Sequence, residues 1–165
     1  MQPTRALLRD EAKRDPLKNG ALDLSKEEIK EILSTCKTIA VVGLSREPEK
    51  ESYRVAKYMQ KHGYRIIPVN PFADELLGEK SYKSLLDIPE QIQKSIDVVD
   101  VFRKAEDMPP VVEQAVKLKE KYGKPCVFWI QLGIVNEQAA ETAKKAGMTV
   151  IMDKCLMQEH ERLFK

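Results

Sequence analysis

Eleven consecutive residues, Gly43-Leu44-Ser45-Arg46-Glu47-Pro48-Glu49-Lys50-Glu51-Ser52-Tyr53, gather two serine hydroxyls, two free cations and a turn-forming glycine. These are the groups that hold an anion, and their neighbours supply the scaffold. The preceding run Ile39-Ala40-Val41-Val42 is wholly apolar and too short for a helix, so it reads as a strand buried on both faces. Gly43 lets the backbone turn sharply and leaves room for a ligand to approach the main chain. Ser52 is placed to cap a helix whose Val55, Ala56 and Met59 share one face. A strand, a glycine turn and a helix N-terminus bring free N–H groups and the positive end of the helix dipole to one place, which is how proteins bind phosphate. The same residues also fit an ordinary βα turn, and a single glycine does not separate the two.

The remaining reactive residues point to no metal and no nucleophilic machinery. His62 precedes Gly63 at a helix end and His160 sits in a charged C-terminal tail, so both are expected at the surface. Asp97 and Asp100 flank an apolar run and read as an edge charge and a structural hydrogen-bonding group, not as an acid–base pair. Cys36, Cys126 and Cys155 are odd in number and far apart, which supports neither a metal cluster nor a disulfide framework.

The elements that must position these groups alternate regularly. Residues 1–24 form a charged N-terminal arm in which Thr4 to Lys13 could make a single helix, and residues 25–165 form the domain proper. Ser25-Lys26-Glu27-Glu28 is a capping box that starts a helix running to about Thr35. Strands are expected at Tyr64–Val69, Asp97–Phe102, Cys126–Ile130 and Met148–Met152. Phe72 to Glu90 reads as a loop with one helical turn. A helix over Ala105–Tyr122 carries Pro109 and Pro110 in its first turn, where proline is tolerated, and ends at Gly123. Another runs from an Asn136 cap to Gly147. Strands alternating with helices at this spacing mean an α/β fold, a doubly wound, Rossmann-like parallel sheet of about five strands.

Size and charge narrow the partners. The chain has 165 residues, 42% hydrophobic and 33% charged, as expected of one globular domain. Its 28 basic and 26 acidic residues leave a net charge of +2, which gives no reason to expect nucleic acid or a membrane surface as partner. No apolar run approaches the ~18 residues that span a bilayer, and the N-terminus lacks the apolar core of a signal peptide. A cytoplasmic protein, monomer or homodimer, with a small-molecule ligand is the resulting expectation.

A doubly wound sheet binds its ligand outside the C-terminal ends of its strands. Here those ends are Gly43-Leu44-Ser45, Asn70-Pro71, Phe102-Arg103, Gln131-Leu132-Gly133 and Asp153-Lys154-Cys155. A dinucleotide fingerprint needs G-x-G-x-x-G after the first strand and an acid at the end of the second. The chain has one glycine and Asn70-Pro71 at those places, which argues against NAD, and no Gly-Lys-Ser/Thr supports a P-loop.

Taken together and in order, Val42-Gly43-Leu44-Ser45, Val69-Asn70-Pro71, Val101-Phe102-Arg103, Trp129-Ile130-Gln131-Leu132-Gly133 and Met152-Asp153-Lys154-Cys155 resemble the stand-alone coenzyme A-binding proteins of the Rossmann type. These are similar to the N-terminal domain of the succinyl-CoA synthetase alpha subunit. The resemblance covers about Thr35 to the C-terminus. It implies that Gly43 to Tyr53 holds the CoA phosphates, through Ser45, Ser52, Arg46, Lys50 and backbone N–H groups. It further implies that Val69, Asn70 and Pro71 border adenine and ribose, and that Phe102, Arg103, Gln131 and Gly133 flank the pantetheine arm. Lys154 departs from the family pattern, where arginine is expected, and a lysine lacks the planar fork for a bidentate contact. Cys155 then has two readings: a small residue packed under the C-terminal segment, or a thiol beside the thiol end of CoA, with Lys154 favouring the thiolate.

Two functions follow from the resemblance. One is a non-catalytic protein that binds coenzyme A or an acyl-CoA as carrier, sensor or regulatory module. The other is a CoA-dependent enzyme handling acyl-CoA or thioesters, completed by a partner subunit. The synthetase's phosphohistidine has no counterpart here, which favours the first.

Overall fold

Five apolar runs become five parallel strands because each can be covered on both faces by the helices that follow it. The computed structural model describes residues 24–164; the N-terminal arm and its single expected helix fall outside these. In chain order the elements are α1 (Lys26–Thr35), β1 (Thr38–Val42), α2 (Glu51–Lys61), β2 (Arg65–Val69), β3 (Glu75–Leu76), β4 (Glu79–Lys80), α3 (Glu90–Gln93), β5 (Val98–Val101), α4 (Met108–Tyr122), β6 (Val127–Ile130), α5 (Glu137–Lys145), β7 (Thr149–Met152) and α6 (Leu156–Leu163). The main sheet has the order β2-β1-β5-β6-β7. It is a doubly wound α/β domain, and the strand order reverses between β1 and β5.

Alternation along each strand divides the core in two. Ala40, Val42, Ile67, Val69, Val99, Val101, Phe128 and Ile130 pack beneath α4 and α5, against Val111, Ala115, Leu118 and the alanines Ala139, Ala140 and Ala143. Ile39, Val41, Ile66, Val98, Val127 and Trp129 pack on the other face against Ile29, Ile32 and Leu33 of α1, Val55, Ala56 and Met59 of α2, and Leu156 of α6. The capping box of α1 forms in full: Glu28 N–H donates to Ser25 Oγ at 3.1 Å and Ser25 N–H to Glu28 Oε1 at 2.7 Å. Asn136 Oδ1 caps α5 by accepting from Ala139 N–H at 2.9 Å. Gly123, with φ +77°, closes α4 in the left-handed conformation expected of a C-cap.

Three expectations need correction. The segment after β2 is not only a loop with a helical turn. The turn exists at Leu85–Asp87, but a small antiparallel hairpin, β3–β4, precedes it. Tyr82 then bridges to Val69, covering the free edge of β2. The C-terminal residues are not a charged tail but helix α6, which docks on α1 and α2. The α-helix expected from Ala105 starts at Met108, after a separate 3₁₀ turn over Ala105–Asp107, so both prolines remain in its first turn.

Register builds the functional rim. Val69 pairs with Val42, Val42 with Val101, Val101 with Ile130 and Ile130 with Met152. The next residue of each strand therefore falls in one row: Asn70, Gly43, Phe102, Gln131 and Asp153.

Candidate functional site: the C-terminal rim of the sheet

Gly43 stands at the point where the strand order reverses. Its φ is +88° and its N–H donates to Val69 O at 3.0 Å. A Cβ built on it would lie 2.8 Å from Phe102 O and 3.1 Å from Arg103 Cδ. The glycine is thus required, because the end of β5 fills the space a side chain would need. Gly133 also has φ +88°, yet nothing lies within 4 Å of a Cβ there, and its N–H donates to Asp153 Oδ1 at 2.7 Å.

The loop after Gly43 is stitched to itself and to the end of β2. Ser45 N–H donates to Ser52 Oγ at 2.9 Å and Glu47 N–H to Ser45 Oγ at 3.0 Å. Asn70 Nδ2 donates to Leu44 O at 2.8 Å while its Oδ1 accepts from Phe72 N–H at 2.7 Å. Arg46 reaches Phe72 O at 3.3 Å. Ser52 does not cap α2 but stands inside its first turn. The N-cap is Lys50, which makes no side-chain cap bond. Among the described residues the first-turn N–H groups of α2 have no side-chain acceptor, and Arg46 and Lys50 are exposed nearby. Tyr53 is half-buried in that turn, and the Leu44 side chain is fully buried, so Leu44 offers the rim only its backbone.

On the α4 side of Gly43 lies a cleft of about 160 Å³. The ends of β1, β2 and β5 line it with Gly43, Val69, Pro71 and Arg103, four residues singled out from the sequence. Its other wall was not anticipated: Lys83 and Ser84, and Asp107, Pro110 and Gln114 at the start of α4. The sequence signal for the latter was available, because a helix following a rim strand begins at the rim. Ser84 Oγ donates to Asp87 Oδ2 at 2.9 Å and Gln114 Oε1 accepts from Leu85 N–H at 3.1 Å. These two bonds fix the 84–85 segment against α4. Among the described residues neither Lys83 nor Arg103 has an ion-pair partner.

The structure does not bring Gln131 and Phe102 into that cleft. Phe102 is half-buried against the second core. Gln131 is buried and its Nε2 donates to Asp100 Oδ1 at 2.6 Å. Asp100 is fully buried within β5, and its Oδ2 has no hydrogen-bond partner among the described residues. Burial pushes its pKa up to about 8, against the opposing bond from Gln131. Asp100 is thus a buried hydrogen-bonding group, the structural role expected of it, and its burial favours the protonated form. Asp97 accepts from the N–H groups of Lys37 and Thr38 and pairs with Lys124 at 2.8 Å.

One further expectation fails. His160 is not a surface residue. It is buried, its Nδ1 lies 2.8 Å from Tyr58 Oη, and it stacks on Phe164, while burial and then the neighbouring His62 hold its pKa below the ordinary imidazole value. Only His62 is exposed. Cys155 is 3% exposed and belongs to the second core, and burial raises its pKa despite opposing bonds from the Gln158 and Met157 N–H groups. This burial supports the packing reading of Cys155. Among the described residues no three His, Cys, Asp or Glu side chains come together as metal ligands, and no helix is long and apolar enough to cross a membrane.

A parallel sheet with this strand order, a tethered loop feeding an uncapped helix, and a polar cleft at the switch point define a Rossmann-like nucleotide-binding architecture. The family model for a CoA binding domain matches residues 37–161, and the chain belongs to that family. Uncharacterized protein YneT of Bacillus subtilis is 48% identical over 136 residues, covering 82% of this chain and 94% of that protein. An ADP-forming acetate–CoA ligase of Methanocaldococcus jannaschii is 38% identical over 131 residues, 75% of this chain but only 18% of the ligase. Among solved structures, a hypothetical protein from Pyrococcus horikoshii superposes with a TM-score of 0.78 at 42% identity, covering 87% of this chain and 94% of that one.

Proposed function

We propose that this protein binds coenzyme A or an acyl-CoA reversibly at the C-terminal rim, as a non-catalytic carrier, sensor or regulatory module. The observation that carries the reading is the uncapped N-terminus of α2 behind a loop already held by its own hydrogen bonds. Lys50 at the N-cap makes no side-chain bond, and Ser52, inside the first turn, has its Oγ committed to Ser45 N–H, so the first-turn N–H groups are left for an anion. Arg46 and Lys50 add charge at that point, and the loop does not need the ligand to order it. The CoA family model over this segment names the anion's class. The rim fits the adenylate of CoA better than that of NAD, because Asn70 at the end of β2 is occupied by Leu44 and Phe72 and offers no carboxylate to ribose hydroxyls. Isothermal titration calorimetry of purified protein with CoA and with NAD tests the reading. Binding of CoA in preference is expected, and preference for NAD overturns it.

A second reading, a subunit or module of a CoA ligase, is favoured by similarity to the alpha subunit of the ADP-forming acetate–CoA ligase I of Pyrococcus furiosus, 32% identical over 136 residues and 28% of that subunit. Turnover of an acyl-CoA by this protein, alone or with a co-purifying subunit, would decide for it.

A further inference from the structure

We infer that an acid-sensitive clasp holds the C-terminal helix on the domain: buried His160 of α6 meets Tyr58 and His62 of α2, and protonating His160 frees α6.

The clasp lies at the far end of α2 from its uncapped first turn, and His160 is the polar side chain that α6 buries. Rings surround it. His160 stacks on Phe164 with centroids 4.7 Å apart, while Tyr58, Tyr64 and His62 approach at steep angles, at 5.4, 5.7 and 5.0 Å. Its polar contact is the hydroxyl of half-buried Tyr58, 2.8 Å from Nδ1. A neutral imidazole can meet that hydroxyl with a lone pair or an N–H, but an imidazolium offers only an N–H.

The elements packed around the ring decide what a positive charge on it meets. From α2 comes His62, exposed, with its Nδ1 2.8 Å from Tyr58 O. From the turn before β1 comes Lys37, whose ammonium lies over the Tyr64 ring, 4.7 Å from its centroid. From α1 comes Lys30, 5.6 Å from the Phe164 centroid. Tyr64 and Phe164, two rings that could cushion an imidazolium, thus already hold a lysine. Glu161, on α6 itself, acts in the opposite sense. Burial first, then His62 and Lys37, hold the pKa of His160 below the ordinary imidazole value, against Glu161. The opened helix leaves the imidazole at its ordinary value of about 6.5, so it takes up a proton before the docked one does. The clasp is therefore at full strength above about pH 6.5 and weakens as pH falls through the window beneath it. The effect reaches the start of the helix, because α6 begins at Cys155, and opening it uncovers Cys155 and Leu156, which are buried while it is docked.

Hydrogen–deuterium exchange of the whole chain at about pH 7.5 and about pH 5.5, corrected for intrinsic rates, tests the clasp on the native chain, His160→Phe and His62→Gln. In the native chain the amides of α6 should lose protection several-fold between the two, by no more than about tenfold per pH unit, while those of β5 lose none. His160→Phe keeps a ring in the cage and cannot charge, so its α6 should be indifferent to pH. His62→Gln, at an exposed position, removes one opposing charge and should make the fall smaller. The chain has two histidines, so His62→Gln leaves one imidazole, and NMR then follows His160 alone. Its ring should titrate below about 6.5, and at higher pH in His62→Gln than in the native chain. Unchanged α6 protection in the native chain, an equal fall in His160→Phe, a fall in His62→Gln as large as the native one, or a His160 ring that titrates at or above the ordinary imidazole value overturns the inference.

Discussion

Asp100 makes stability fall with pH across a range where most proteins are most stable. Its carboxyl is wholly buried in the central strand, with one oxygen bonded to Gln131 and the other without a partner among the described residues. Burial raises its pKa from 3.8 to about 8. Between those values the folded chain keeps the proton and the unfolded chain has lost it. The unfolded state therefore binds fewer protons, and unfolding free energy declines by about 1.4 kcal/mol per pH unit. The full contribution is present below pH 4, is lost progressively as pH rises, and is flat above about 8. From pH 5 to pH 7 the decline is about 3 kcal/mol. Asp100→Asn keeps an acceptor for Gln131 and cannot ionise, so it removes this slope. It also buries amide hydrogens without partners, at a cost of about 1–3 kcal/mol that does not vary with pH. The two stability curves should then cross between about pH 4.5 and pH 6, with the variant weaker below the crossing and gaining on the native chain above it. Urea unfolding at both pH values gives the test. With a slope near 2 kcal/mol per molar urea, the midpoint difference between variant and native chain should move by about 1.5 M from pH 5 to pH 7. Other titrating groups cancel in that difference. A midpoint difference that does not change with pH would refute a protonated Asp100.

Gly43→Ala should be markedly more destabilising than Gly133→Ala, because both adopt φ +88° but only the first Cβ meets backbone, at 2.8 Å from Phe102 O. The conformational term alone is about 1–2 kcal/mol at either site, and the clash should take Gly43→Ala to about 3 kcal/mol or more, a fall in melting temperature of roughly 6–12 °C by calorimetry; equal losses would show that Gly43 is needed only for its turn. Cys155 should escape CoA disulfide in the native chain and react in urea, since its sulfur is in the core with a raised pKa. An adduct mapped to Cys155 under native conditions, by intact mass and peptide analysis, would contradict that placement.

What the sequence made legible was whatever local pattern determines. Apolar runs such as Ile39 to Val42 and Val98 to Val101 admit few alternatives to a doubly covered strand, apart from the Asp100 carboxyl that the second run contains. Capping residues Ser25 and Asn136 act on neighbours three residues away. What stayed hidden depends on contacts between distant residues. The hairpin β3–β4 turns at Leu77 and Gly78 with φ +54° and +76°, and a leucine in the first of these positions carries no turn signal. His160 looked solvent-facing among Glu159, Glu161 and Arg162, but Tyr58, 102 residues earlier, supplies its hydrogen bond. Ser52 looked like a helix cap because its real partner, the Ser45 N–H, lies across a loop whose shape the sequence does not state. Lys83 follows a segment with neither strand nor helix periodicity, so no strand end pointed to it.

A single glycine after β1 looked like weak grounds for a nucleotide site, and the geometry explains how the loop can dispense with the others. In a dinucleotide fingerprint the later glycines let the pyrophosphate approach the backbone and let the helix pack closely on the strand. Here the Cβ position of Gly43 is taken by Phe102 O, while the residue itself still lines the cleft at the end of β1. The room lies to either side: the first turn of α2, which Lys50 leaves without a side-chain cap, and the cleft that Arg103, Lys83 and the start of α4 enclose. Both are defined by protein–protein hydrogen bonds that exist before any ligand arrives. On the proposed CoA reading, ordering costs on binding should be correspondingly small, and affinity should depend on charge matching at the rim more than on closure of the loop.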